Sequence, residues 1–208
     1  MEKKRNDGTT EMLRSRIMQW ERGRIIFIDD FADVPSQWGV RFGLSALAQE
    51  GFIMRLARGV YCYPRIEGEY SMRTIAPEPE AIAFAVAARE RVRIQPYGDL
   101  AAYELGLSTL RISELRYLTD GAPRRICLSG GRRILFFHTS EVKMFDYCNT
   151  TMQKLSSAIR TLGREAIDDE RMRKMRSILS NVPQDEFRRD ITLPPAWVQE
   201  ILLDCWNR

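Results

Sequence analysis

The stretch 31–64, FADVPSQWGVRFGLSALAQEGFIMRLARGVYCYP, limits what this chain can fold into more tightly than any other part of it. Between residues 36 and 50, Val40, Gly43, Leu44, Leu47 and Ala48 recur at spacings of 3, 4, 7 and 8, the signature of a helix packed along one side. Ser36 is placed to cap its start, and Gly51 to end it in the left-handed conformation. Two short β-type runs follow at once, 52–56 and 60–63, separated by Ala57-Arg58-Gly59. Helix, then small basic hairpin, predicts a winged helix-turn-helix, which lays the helix in a major groove and the hairpin over the backbone.

The preceding residues supply the rest of that order. Residues 1–8 are charged and expected to fray, and Thr10 can cap a helix that turns Leu13, Ile17 and Trp20 inward. Gly23 ends it. Strand 25–28, Ile-Ile-Phe-Ile, can then pair with the hairpin, after which Asp29 or Asp30 caps a short helix over 31–34 and Pro35 breaks it.

The face of helix 36–50 opposite its apolar stripe carries Trp38, Arg41, Phe42, Ser45 and Gln49, with Ser36 and Gln37 at the helix start. These are the candidate base-reading residues. Arginine offers paired donors to guanine, and serine and glutamine can meet several base edges. Arg55 and Arg58 in the hairpin are suited to phosphates, which fix register and not sequence. Trp38 and Phe42 leave a second possibility open, since two large aromatics four residues apart on a wet face also suit packing against another domain or subunit.

Charge supports the same location only locally. The chain of 208 residues has a formal net charge of +4, and residues 1–64 hold ten Lys/Arg against eight Asp/Glu. Within 34–66, however, Arg41, Arg55, Arg58 and Arg65 face Glu50 alone. A winged unit is complete by residue 66, so the expected organisation is an N-terminal domain 1–66 and a second domain 67–208, both in the α+β class. Residues 65–80 lack periodicity and are expected to link the two. The second domain should contain an alanine-rich helix entered at Pro79 that buries Ala81, Ile82, Ala85, Val86 and Arg89, and a short helix 100–105. A small antiparallel sheet of strands 115–119, 124–128 and 133–138 should follow, and then helices from Asn149, from Asp168 and from Pro194-Pro195. Arg171, Arg173, Lys174 and Arg176 look like a second basic patch. Asp168, Asp169 and Glu170 stand just before them, and acids early with bases late complement a helix dipole, so a solvated helix face is the simpler reading.

Other functions find little support. Cys62, Cys127, Cys148 and Cys205 form no CxxC pair and His138 is the one histidine, so no metal or cofactor is expected. His138 stands beside Thr139 and Ser140, but neighbours on a strand face opposite ways and do not form a relay. Gly130-Gly131 lies between strands, not before a helix, and is no phosphate loop. The longest apolar run, 81–88, is too short to span a bilayer, and a cytoplasmic, non-enzymatic protein is expected.

Three stretches carry a family resemblance: GFIMRLARGVYCYP at 51–64, LAAYELGLSTLRISELRYLTDGAPRRICLSGGRRILFFH at 100–138, and LPPAWVQEILL at 193–203. The chain resembles the AbiEi-type antitoxins, winged-helix proteins of bacterial abortive-infection and toxin–antitoxin systems. It departs from them at Leu110-Arg111-Ile112, where a glutamine and a proline are usual, and at Tyr103, where a small polar residue is common. The resemblance implies a repressor that binds operator DNA at its own promoter and a C-terminal domain that counteracts a nucleotidyltransferase-type toxin; self-association on DNA is left open. Two alternatives stand beside it: a lone winged regulator whose second domain senses a ligand or partner, and an interaction module using Trp38 and Phe42.

Overall fold

The computed structural model of the protein describes residues 2–68, 73–110 and 112–207. The expected linker partly falls on residues 69–72, and the family departure at Arg111 falls on that residue; both lie outside the described residues. The fold is mixed α+β, in two compact units: Met1–Ala85 with Ile126–Arg132, and Val86–Arg125 with Arg133–Arg208. The expected division after residue 66 falls inside the first unit, because residues 67–85 and the turn 126–132 group with it.

In the first unit, helix α1 spans Glu2–Met18, so it starts eight residues before the expected cap at Thr10. The charged residues ahead of Thr10 are adequate helix formers, and the single glycine among them, Gly8, costs only about 1 kcal/mol. Strand β1, Ile25–Phe27, pairs antiparallel with β3, Val60–Cys62, setting Ile26 opposite Tyr61. Ile28–Phe31 forms a single 3-10 turn in place of the expected helix 31–34. The cause is local: the Asp30 carboxylate accepts the Phe27 N–H at 2.7 Å, which starts the turn three residues early.

Helix α2, Gln37–Gln49, buries Gly39, Val40, Gly43, Leu44 and Leu47, and Gly51 follows it at φ +77°. Val40, Leu44 and Leu47 join Leu13, Ile17, Ile26 and Phe31 in one core. Each such fully buried side chain contributes about 1.5–3 kcal/mol of transfer free energy. Strand β2, Met54–Ala57, is antiparallel to β3 and bulges between Arg55 and Ala57, so the sheet order is β1-β3-β2. Part of the expected linker is a ladder of its own: β4, Arg65–Glu67, pairs antiparallel with β5, Arg73–Ile75. Three-residue strands are too short to leave a period in the sequence.

Helix α3, Pro79–Glu90, starts at the proline as expected but buries Ile82, Ala83, Val86 and Ala87; Ala81 is exposed, and Ala85 and Arg89 are half-buried. The second unit holds β6, Ile94–Pro96, which the sequence reading missed, and α4, Asp99–Glu104. β7, Glu114–Thr119, and β9, Arg133–His138, join its sheet, and β8, Arg124–Cys127, whose last two residues are grouped with the first unit, completes the order β6-β7-β9-β8. The sheet is therefore mixed and not antiparallel throughout: β6 runs antiparallel to β7, and β7 parallel to β9. The chain leaves β7 through Asp120, whose carboxylate is taken by the Arg93 backbone and guanidinium, each at 2.8 Å. β9, and not the next strand β8, lies against β7.

Four helices close this unit: α5, Thr150–Leu162, capped by Asn149; α6, Asp169–Leu179, capped by Asp168; α7, Gln184–Asp190, unforeseen; and α8, Ala196–Asn207. Met152, Leu155, Ile159, Met175, Phe187, Val198 and Leu202 form their core.

Candidate nucleic-acid interface

The outward face of α2 keeps only part of the predicted set free. Ser36 Oγ accepts the Gly39 N–H at 3.0 Å, satisfying a first-turn donor that the helix itself cannot. Gln37 Nε2 donates to the carbonyls of Phe31 at 3.0 Å and Val34 at 3.2 Å. Both are engaged in the frame that sets the helix against the 3-10 turn. Ser45 is half-buried, whereas Arg41 and Gln49 are exposed. Arg41 makes no hydrogen bond or ion pair with any described residue. Trp38 and Phe42 stack on each other, ring centroids 5.8 Å apart and 18° from parallel, with 64% and 46% of their surface exposed.

Behind this face, a glycine lets α1 come close. A Cβ built on Gly43 would stand 2.6 Å from Leu13 Cδ1 and 3.2 Å from Thr10 Oγ1, whereas one on Gly39 would meet Thr9 Cγ2 at an ordinary 3.5 Å. α2 is thus seated on α1 at Gly43, which carries no side chain.

In the hairpin, Arg55 is exposed on β2, and Arg58 is exposed beside Gly59, whose φ of +74° permits the tight turn. Neither arginine has a partner among the described residues. Other arginines of the unit are engaged. Arg16 grips Asp33 through two 2.9 Å bonds, which hold that carboxyl below the usual carboxylate range. Arg14 pairs with Glu50, and Arg24 reaches Asp30 at 3.3 Å while lying 4.0 Å over Trp20. Two further arginines without a partner among the described residues stand on the β4–β5 ladder: Arg65, counted above only for its charge, and Arg73. Their strands carry no length signal, so only their charge was visible in sequence.

The second basic segment behaves differently. Arg171 donates to Asp168 and to the Ala166 carbonyl at 2.8 Å each and to the Leu107 carbonyl at 3.1 Å; Lys174 meets Glu170 at 2.8 Å. His138 Nδ1 lies 2.9 Å from the Gly121 carbonyl, and Thr139 Oγ1 accepts the Glu141 N–H at 3.2 Å. None of the four cysteines is in a disulfide, and burial pushes the Cys62 thiol up to about 11. Among the described residues, no group of three or more His, Cys, Asp or Glu is placed to hold a metal ion, and no helix is long and apolar enough to cross a membrane.

With this geometry in view, one comparison places the chain. It belongs to the Family of unknown function (DUF6088), whose model matches residues 12–187. The match runs from inside α1 into α7 and so takes in residues of both units. No curated protein matches the chain.

Proposed function

We propose that the first unit is a winged helix-turn-helix that binds duplex DNA, and that the protein is a transcriptional repressor of its own operon and an antitoxin opposing a nucleotidyltransferase-type toxin. The observation that carries the DNA reading is the coincidence of a capped, core-seated helix with Arg41, Arg55 and Arg58, which are unpaired among the described residues, in a unit whose Arg14, Arg16 and Arg24 are paired. Arg41 and Gln49 supply base-edge chemistry on α2; Phe42 and Trp38 supply apolar contact for thymine methyls. Arg55 and Arg58 clamp phosphates through the hairpin. The antitoxin role rests on the resemblance of residues 51–64, 100–138 and 193–203 to that family.

A reporter driven by the gene's own upstream region tests the repressor role: expression of the protein should silence it, and the Arg41→Ala variant should restore it. Co-expression with a nucleotidyltransferase encoded beside the gene tests the antitoxin role through growth rescue. Two observations favour other readings. The exposed Trp38–Phe42 stack suits a protein partner. In the second unit, a solvent-open cavity of about 560 Å³, lined by Val142, Met144, Leu193 and Pro195 and by Ser140, Lys143 and the paired Glu141 and Arg160, is the place a ligand-sensing regulator would use.

A further inference from the structure

The β4–β5 ladder is an exposed structure without a core. All six of its residues are exposed, including Ile66 at 39% and Ile75 at 38%, and among the described residues it pairs with no third strand. A two-stranded ladder of this kind is marginal alone and gains most from a further strand. Its root is nonetheless fixed. The Gly23 N–H donates to the Tyr63 carbonyl, the Tyr63 N–H to the Arg24 carbonyl, and Arg22 Nη1 to the Pro64 carbonyl at 3.2 Å. The Arg65 side chain lies so close over Gly23 that a Cβ there would stand 2.6 Å from its Nε. A ladder anchored at its root and uncovered along its length presents a usable edge.

The sequence of that edge identifies what fits it. β4 reads Arg65-Ile66-Glu67, with opposite charges flanking an aliphatic residue. An antiparallel pairing of this strand with itself about a two-fold axis at Ile66 sets Ile66 against Ile66 and each Arg65 against a Glu67. Both charge pairs are attractive, as favourable cross-strand neighbours are. Charges of one sign would instead protect the edge from its own copies. The partner strand does not share this property: in β5, Arg73-Thr74-Ile75, the same operation would set arginine against isoleucine. We propose that the outer edge of β4 is a homodimerisation site, joining two copies of this chain into a four-stranded sheet β5-β4-β4-β5 by an isologous contact. The inference stands apart from the DNA reading, since it needs no ligand on α2.

Charge reversal tests it on the full chain, and sedimentation velocity reads the result. The wild type should sediment as a dimer at micromolar concentration. Arg65→Glu leaves two acids on the edge and Glu67→Arg leaves two bases, so each variant alone should lose at least about tenfold in dimer affinity, on the scale of a like-charge clash. An equimolar mixture of the two should regain the dimer, because Arg65→Glu in one copy then faces Glu67→Arg in the other. Circular dichroism matching the wild type keeps loss of folding apart from loss of association. A monomeric wild type, variants that dimerise as well as the wild type, or a mixture that stays monomeric would each overturn the assignment.

Discussion

Two basic regions of this chain look alike in sequence and differ in what surrounds their charges. Along α6, Arg171 and Lys174 are spent on Asp168, Glu170 and nearby carbonyls and Arg173 donates to the Asp169 carbonyl, while Arg176 makes no ion pair with a described residue. On α2 and the hairpin after it, Arg41, Arg55 and Arg58 have no partner among the described residues. A paired arginine must break an existing contact before it can bind an anion, whereas an unpaired one gives up only hydration. The difference makes the first region the candidate for DNA and the second a structural face.

That contrast can be broken at several levels. The deepest is the core beneath the free face: Leu44→Ala should cost about 2–5 kcal/mol in urea unfolding, because the fully buried side chain leaves a cavity under α2. Next is the face itself. Arg41→Ala should lose about 1–3 kcal/mol of affinity for the preferred site with an unchanged unfolding midpoint, while Arg58→Ala should weaken all sequences alike and lower the salt slope by about one. Equal small effects from both would remove the direct-readout assignment. The mirror experiment is Arg171→Ala or Lys174→Ala, for which DNA affinity should stay within about twofold of wild type. A large loss there would erase the distinction between the two regions.

The smallest expected effect is acid sensitivity at α6. The Asp168 carboxyl is held below its usual range by the Arg171 backbone N–H and then by the Arg171 charge, and Glu170 by its hydrogen bond and charge pairing with Lys174. Carboxyls depressed on folding contribute stability that is fully present above their unfolded values, about 3.9 and 4.3, and is lost as pH falls through the lower folded values. Asp168→Asn should therefore flatten the acid limb of the melting temperature plotted against pH. An acid limb identical to wild type would show that the cap does not act through its charge.

The sequence foretold elements where a long period met a clear stop. The apolar stripe of α2, its cap at Ser36 and the glycine beyond it all lie where the 3.6-residue pattern set them. α5 and α6 kept their asparagine and aspartate caps for the same reason. What stayed hidden was short or non-local. β4, β5 and β6 have three residues each, too few for alternation to show. The insertion of β9 between β7 and β8 follows from pairings of residues far apart, which no local window contains. At the candidate interface, residue type singled out Arg41 and Gln49, which are exposed, but could not reveal that Ser36 and Gln37 are engaged by backbone groups nearby. Polar side chains at a helix start satisfy the helix before they are available to a ligand.

The central claim is that the free arginines of α2 and the hairpin hold a particular duplex. A mobility-shift titration of the full chain on its own upstream DNA and on a scrambled duplex of equal length, each at two salt concentrations, tests it most directly. The account predicts tighter binding to the upstream duplex and an affinity that falls steeply with salt, as release of counterions from several phosphates requires. Absence of any shift on either duplex at low salt would contradict it, and would leave the Trp38–Phe42 face as a surface for protein.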